Sequence, residues 1–249
     1  MKKQFIIDTD IGTDVDDLFA LAYALKNPDI EVKAISTVHG NTEIRSKIVR
    51  KLEKILGVNI PIITGLPGDS RYWTGIEEKA LTSEELKEPL GKLDFPKYDF
   101  DTTLVCMGPM TNIQYQIETG SSISRVNEIY IMGDHLYSHN FKADNEAALV
   151  VGMQSWKRHL ITKDICKRIT LTKEDLEGLR GNALGDFLYE SALRWMKHSR
   201  VKEPIMYDAV TVSAAANEGY VKFKEENDCF ISEDIDTSFK QRLLEVIKS

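Results

Sequence analysis

Short runs of apolar, β-branched residues alternate along this chain with longer segments whose apolar positions recur at helical spacing. That alternation restricts the fold more than any other feature. Phe5-Ile6-Ile7 reads as a buried strand, followed by a helix over about Asp16 to Lys26. A strand over Glu31 to Val38 leads into a polar helix from about Thr42 to Leu56. Ile60 to Thr64 reads as the next strand, and Thr103 to Met107 as a fourth that runs into a helix through Thr111 to Glu118. Further strands are read over Glu128 to Met132 and His159 to Thr162. Later helices open at Thr172 and span Asn182 to His198, and a closing amphipathic helix carries Phe239, Leu243, Leu244 and Ile247. Strands alternating with helices predict βαβ units: an α/β fold whose mainly parallel open sheet is covered by helices on both faces. In such a sheet ligands gather at the carboxyl ends of the strands. The segment from about Pro67 to Asp101 breaks the pattern and reads as an insertion beside the sheet.

The chain has 249 residues and no internal repeat, low-complexity tract or linker, so residues 1–249 are read as one domain. The apolar stretch near the N-terminus stops at Asp8, too soon for a signal-peptide core or a membrane span, and no membrane association is expected. A formal net charge of −7 and the lack of a basic stripe argue against binding nucleic acid. Cys106, Cys166 and Cys229 show neither pairing nor metal-ligand spacing, which suits reduced thiols and a cytoplasmic protein.

Chemistry concentrates in Asp8-Thr9-Asp10-Ile11-Gly12-Thr13-Asp14-Val15-Asp16-Asp17, where five carboxylates follow a buried strand. Their repulsion calls for solvent, hydrogen bonds or a cation. Capping of the helix that starts near Asp16 accounts for one or two of them, but hardly for all five. Oxygen-only ligands select calcium or magnesium over zinc. An aspartyl-phosphate phosphatase also carries two spaced aspartates after its first strand, but Gly12 stands where that chemistry expects Thr or Val, which argues against it.

The stretch from Asp8 to Leu25 resembles the signature of the inosine-uridine preferring nucleoside hydrolase family, whose usual form is Asp-x-Asp-Pro-Gly-x-Asp-Asp. Further segments agree in order. Ser36-Thr37-Val38-His39-Gly40-Asn41 is similar to the family's second strand end, and Leu104 to Asn112 resembles its Gly-Pro-Leu-Thr-Asn turn. Ile131-Met132-Gly133, with Asn140 to Ala148, resembles its Met-Gly-Gly and Asn-x-x-x-Asp-x-Glu-Ala-Ala elements. Tyr207-Asp208-Ala209-Val210 resembles its His-Asp-Pro-x-Ala helix start.

The resemblance implies a nucleoside hydrolase-like fold and a nucleoside N-ribohydrolase of purine and pyrimidine salvage, dependent on Ca2+. It also implies a small nucleoside or ribosyl substrate and a homo-oligomeric state, dimer or tetramer. Asp10, Asp17, the Met107 carbonyl and Asp208 are implied as metal ligands, which suits calcium's oxygen coordination. Asp10 is also implied as the base for the attacking water, and Asp16, Asn41 and Asn140 as ribose contacts. Read without the resemblance, Asn41 and Asn112 are turn residues and Asp208 is a helix N-cap.

Several positions depart from the family's pattern. Ile11 replaces Pro, and the spacing from Asp10 to the Asp16-Asp17 pair is longer, so Asp14 competes for a ribose or metal contact. The segment between Gly133 and Asn140 is short, and Ser138 stands where the family has Glu. The chain also ends early, as if a hairpin before the last strand and helix were missing. Tyr207 replaces the His that protonates the leaving base in purine-acting members, leaving Tyr207, His39, His135 and His139 to be weighed for that role. These changes spare the metal and touch the sugar and base, so the alternative is a calcium- and ribose-binding homologue with weak or no hydrolase activity.

Overall fold

The computed structural model describes residues 2–249 apart from 69–73, 92–93, 96–97, 99–101, 136 and 227. The described strands are β1 (Lys3–Thr9), β2 (Ile30–Thr37), β3 (Ile62–Thr64), β4 (Thr102–Cys106), β5 (Glu128–Met132), β6 (Lys157–Ile161), β7 (Val221–Glu226) and β8 (Cys229–Ile235). They form one sheet in the order β3-β2-β1-β4-β5-β6-β8-β7. All neighbours pair parallel except β7, which runs antiparallel to β8 at the edge. The α/β reading therefore holds, with most strand bounds within a residue or two of those expected. The β7–β8 hairpin, which the sequence reading did not mark, lies directly ahead of the final helix.

Helices α1 (Asp16–Lys26), α2 (Thr42–Leu56), α9 (Ala183–Ser199), α10 (Tyr207–Ala216) and α11 (Phe239–Lys248) supply the core on one face, against Phe5, Ile7, Ile35 and Val105. Helices α4 (Thr111–Glu118) and α6 (Asn145–Gly152) cover the other, against Ile6, Leu104, Ile129 and Ile131. Adjacent strand residues serve opposite cores because side chains alternate across a strand. Full burial of each such Ile or Leu contributes roughly 1.5–3 kcal/mol. The shorter helices are α3 (Ser83–Lys87), α5 (His139–Ala143), α7 (Lys163–Cys166) and α8 (Lys173–Glu177). The insertion expected over residues 67–101 lies partly outside the described residues. Its described part includes α3, opened by a Thr82–Glu85 capping box, and it grips α2 where Lys47 Nζ donates to Leu86 O at 2.7 Å and Lys51 pairs with Glu85 at 3.0 Å.

The sheet order reverses at β1, which pairs with β2 on one side and β4 on the other. Loops leaving the carboxyl ends of β1 and β4 part at such a switch point and open a crevice. Met107 is held there, its N–H donating to Asp8 O at 2.8 Å. The three cysteines are free, with Cys106 and Cys166 buried. Among the described residues no helix is long and apolar enough to cross a membrane.

Candidate active site

A cavity of about 430 Å³ opens at this switch point. Its acidic side is lined by Asp10, Asp14, Asp16, Asp17 and Asp208. Asp16 and Asp17 occupy the first turn of α1 and Asp208 the first turn of α10, so two helix N-termini aim their positive ends at one point. The helices are tied where Asp208 N–H donates to Asp16 Oδ2 at 3.3 Å. Carboxylate oxygens of Asp16, Asp17 and Asp208 lie within 4.8 Å of one another, and all three residues are buried. Burial, followed by repulsion from neighbouring carboxylates, pushes the pKa of each well above the ordinary range. Oxygens on opposite sides of a calcium ion stand about 4.6–5.2 Å apart, given Ca–O distances near 2.3–2.6 Å, so this group fits a hard divalent cation.

The sequence placed Asp10 with Asp17 and Asp208 as metal ligands and Asp16 on the sugar. The structure gathers Asp16 with Asp17 and Asp208, while Asp10 lines the same cavity outside that group. Asp14 also lines it. Its Oδ1 accepts from Val15 N–H at 2.6 Å, and burial raises its pKa to about 6.

Two buried residues shape this acidic loop. Arg45 of α2, fully buried, donates to the carbonyls of Asp10, Ile11 (2.6 Å) and His39 (2.6 Å) and to Thr13 Oγ1 (3.1 Å). Thr13 Oγ1 in turn donates to buried Glu77 at 2.6 Å. Gly12 makes the bend with φ +115°, a conformation that strains any residue with a side chain, and a Cβ there would also push on Ile48 Cδ1 at 2.7 Å. Asn112, fully buried, donates to Asp8 Oδ1 at 2.7 Å and to Thr37 O at 3.1 Å, and accepts from Leu66 N–H at 2.8 Å. It joins the ends of β1 and β2 to the chain after β3 and is no mere turn residue.

Across the cavity stand Met107, Met132, Ser138, His139 and Asn140. Asn140 Nδ2 donates to Met107 O at 2.6 Å and to Met132 O at 3.1 Å, so the expected sugar contact also holds the expected carbonyl ligand. Ser138 Oγ donates to His135 O at 2.7 Å. Asn41 is exposed and lies outside the cavity lining. Its side chain, expected at the ribose, accepts from Ile44 N–H and caps α2. Of the three histidines weighed for acid catalysis, His39 and His139 line the cavity and His135 does not.

The remaining wall carries Tyr207, Trp195 and Lys163. Burial, helped by nearby Asp16, pushes the Tyr207 hydroxyl up to about 12, which keeps it protonated at neutral pH. Sequence reasoning saw Trp195 as one apolar residue of a helix and passed over Lys163 and Arg45. Lys163 was findable, since it follows a strand end on the ligand-gathering side of the sheet.

Residues 5–240 match the family described as "Inosine-uridine preferring nucleoside hydrolase". Uridine nucleosidase 1 of Arabidopsis thaliana is 26% identical over 213 residues, spanning 74% of this chain and 62% of its own length. The pyrimidine-specific ribonucleoside hydrolase RihB of Escherichia coli is 25% identical, spanning 90% of this chain and 82% of its own. Among solved structures, the purine-preferring ribonucleoside hydrolase from Gardnerella vaginalis superposes with a TM-score of 0.81 at 20% identity, covering 99% of each chain.

Proposed function

This chain belongs to the inosine-uridine preferring nucleoside hydrolase family, and on that premise we propose that its cavity hydrolyses the N-glycosidic bond of ribonucleosides with calcium bound. The observation that carries the reading is one cavity with three converging buried carboxylates on one side and Tyr207 and Trp195 on another. Asp17 and Asp208, with Asp16 or Asp10 and the Met107 carbonyl, would hold the cation. A calcium ion so held supplies Lewis acidity toward water and affinity for vicinal sugar hydroxyls. Asp10 accepts the proton of the attacking water, while Asp14, Asp16 and Asn140 face the ribose. The summed negative charge of this wall favours the positive charge that develops on the sugar as the bond breaks.

A catalytically weak calcium- and ribose-binding homologue is the second reading. It is favoured by Asn41 lying outside the cavity and by Ser138 standing in place of a carboxylate. An assay for free ribose from a panel of nucleosides, with and without chelator, tests both. Chelator-sensitive release is the expected result. No release, alongside calcium-dependent ribose binding, would establish the second reading instead.

A further inference from the structure

The cavity holds one feature that binding a cation and a sugar does not use. Among the described lining residues Lys163 is the one lysine or arginine. It is half-buried, and among the described residues its ammonium forms no hydrogen bond. None of the five lining aspartates lies within 4.0 Å of it, although an ion pair with any of them would relieve the repulsion there. Its place in the fold keeps it apart. Lys163 opens α7 directly after β6, whereas the carboxylates enter from β1, α1 and α10. Helix α7 also reaches the base of the aromatic wall, where Cys166 Sγ lies 3.9 Å from Tyr207 O.

We propose that Lys163 is a catalytic residue of the leaving group, donating a hydrogen bond from its ammonium to a carbonyl oxygen of the departing base. This rests on the hydrolase reading above and specifies its substrates as bases that carry a carbonyl, such as uracil and hypoxanthine, over adenine. The planar faces of Tyr207 and Trp195 suit a flat ring, and an ammonium suits the charge that ring acquires. As the C1′–N bond breaks, its electron pair passes to the base and spreads onto the carbonyl oxygens. Water oxygen bonds to C1′, Asp10 takes the water's proton and returns it to solvent, and the base anion takes one proton from solvent. Lys163 is unchanged by the cycle. A donor aimed at developing charge in a water-poor site typically contributes about 10²–10³ in rate.

The test compares wild type with Lys163→Met and Lys163→Arg on uridine, adenosine, p-nitrophenyl riboside and uridine 5′-monophosphate, in calcium. Lys163→Met should lose roughly a hundredfold in kcat on uridine, against less than about tenfold on adenosine and on the activated p-nitrophenyl substrate. Lys163→Arg should recover part of the loss, and both variants should keep the calcium-induced rise in melting temperature. Equal losses on all substrates would place Lys163 on the sugar or the fold and overturn the assignment. Unchanged uridine turnover with selective loss of the 5′-monophosphate would reassign it to phosphate. If wild type releases neither ribose nor, from the monophosphate, ribose 5-phosphate, the hydrolase reading itself fails, and this one with it.

Discussion

The side-chain amide of Asn140 stands 2.6 Å from the carbonyl oxygen of Met107 and 3.1 Å from that of Met132, so one asparagine ties the chain after β4 to the end of β5. Both carbonyls belong to buried residues at the cavity wall. A donor that bridges them fixes the direction in which Met107 O presents its remaining lone pair. Where an outer group orients a ligand in this way, its loss commonly lowers metal affinity by about 10–100-fold.

Asn140→Ala should therefore act twice. Leaving two carbonyls without their donor costs about 1–3 kcal/mol apiece, and each 1 kcal/mol lowers the melting temperature of a chain of this size by roughly 2–4 °C. Calcium affinity, read by titration calorimetry, should fall as well. A lowered melting temperature with an unchanged calcium Kd would reduce Asn140 to a structural bridge.

Calcium binding should be linked to protons, and the sign follows from the carboxylates. Asp16, Asp17 and Asp208 have pKa values raised well above the ordinary carboxylate range by burial and mutual repulsion, so the metal-free fold holds protons that the unfolded chain has already lost. With the folded state the more protonated, stability of the metal-free protein falls as pH rises above that range. A cation displaces those protons, so its affinity, and the rise in melting temperature it produces, should grow with pH. A hundredfold excess over Kd adds about 2.7 kcal/mol. Asp17→Asn and Asp208→Asn should abolish the rise. Identical melting curves in calcium and in chelator, on protein first stripped of metal, would remove the metal from the account.

What the sequence made legible follows from how far each signal reaches along the chain. Strands β1, β4 and β5 are covered on both faces, so each carries a continuous apolar run, whereas β2 alternates at its start, with Glu31 and Lys33 exposed, and is buried only from Ala34 onward. Strand β7 lies at the edge, with Val221 and Phe223 half-buried among exposed Lys and Glu, and so short an alternation gives no contrast. The carboxylates of β1 and α1 are neighbours in sequence and were visible as a cluster. Arg45 was not, because a basic residue on a polar helix reads as solvent-facing. Its burial comes from carbonyls of Asp10 and Ile11, 35 and 34 positions away. Asn41 shows the opposite case, since the side chain that the family pattern assigns to sugar also makes a local capping bond to Ile44 N–H, which the sequence left open as the turn-residue reading.

A pH effect of opposite sign should appear away from the cavity. The hydrogen bond from His159, 2.6 Å long, holds Glu128 at a pKa of about 2, with Lys157 assisting. A depressed carboxylate stabilises the fold above its unfolded value of 4.5 and loses that contribution as pH falls through 2. Wild type should exceed Glu128→Gln in denaturant midpoint near neutral pH, and the gap should close between those values. A gap that stays constant down to pH 2 would show that Glu128 acts through shape alone.

Ribonucleosides should be preferred over their 2′-deoxy counterparts. Under the proposed reading Asp14, Asp16 and Asn140 face the sugar, so loss of the 2′-hydroxyl leaves buried polar groups unpaired, which can reject an analogue by about 10⁴–10⁵. Comparable kcat/KM for uridine and 2′-deoxyuridine would contradict this placement of the ribose.

Tyr207 should position the base without protonating it. Its hydroxyl is pushed up to about 12 by burial and by Asp16, far from the match with neutral pH that an efficient proton donor needs. The ring remains, half-buried in the cavity wall beside Asp208, and can stack on the base or lend its hydroxyl as a neutral hydrogen-bond donor. Turnover should then depend strongly on how well the base leaves, and p-nitrophenyl riboside should react much faster than inosine. Tyr207→Phe keeps the ring, so its loss on p-nitrophenyl riboside should stay within about tenfold, a small effect beside that of removing a transition-state donor. Steady-state rates for both substrates on both proteins decide the matter. A loss of a hundredfold or more on the activated substrate, roughly the size of a missing transition-state donor, would mean that the hydroxyl serves the water, the sugar or the metal.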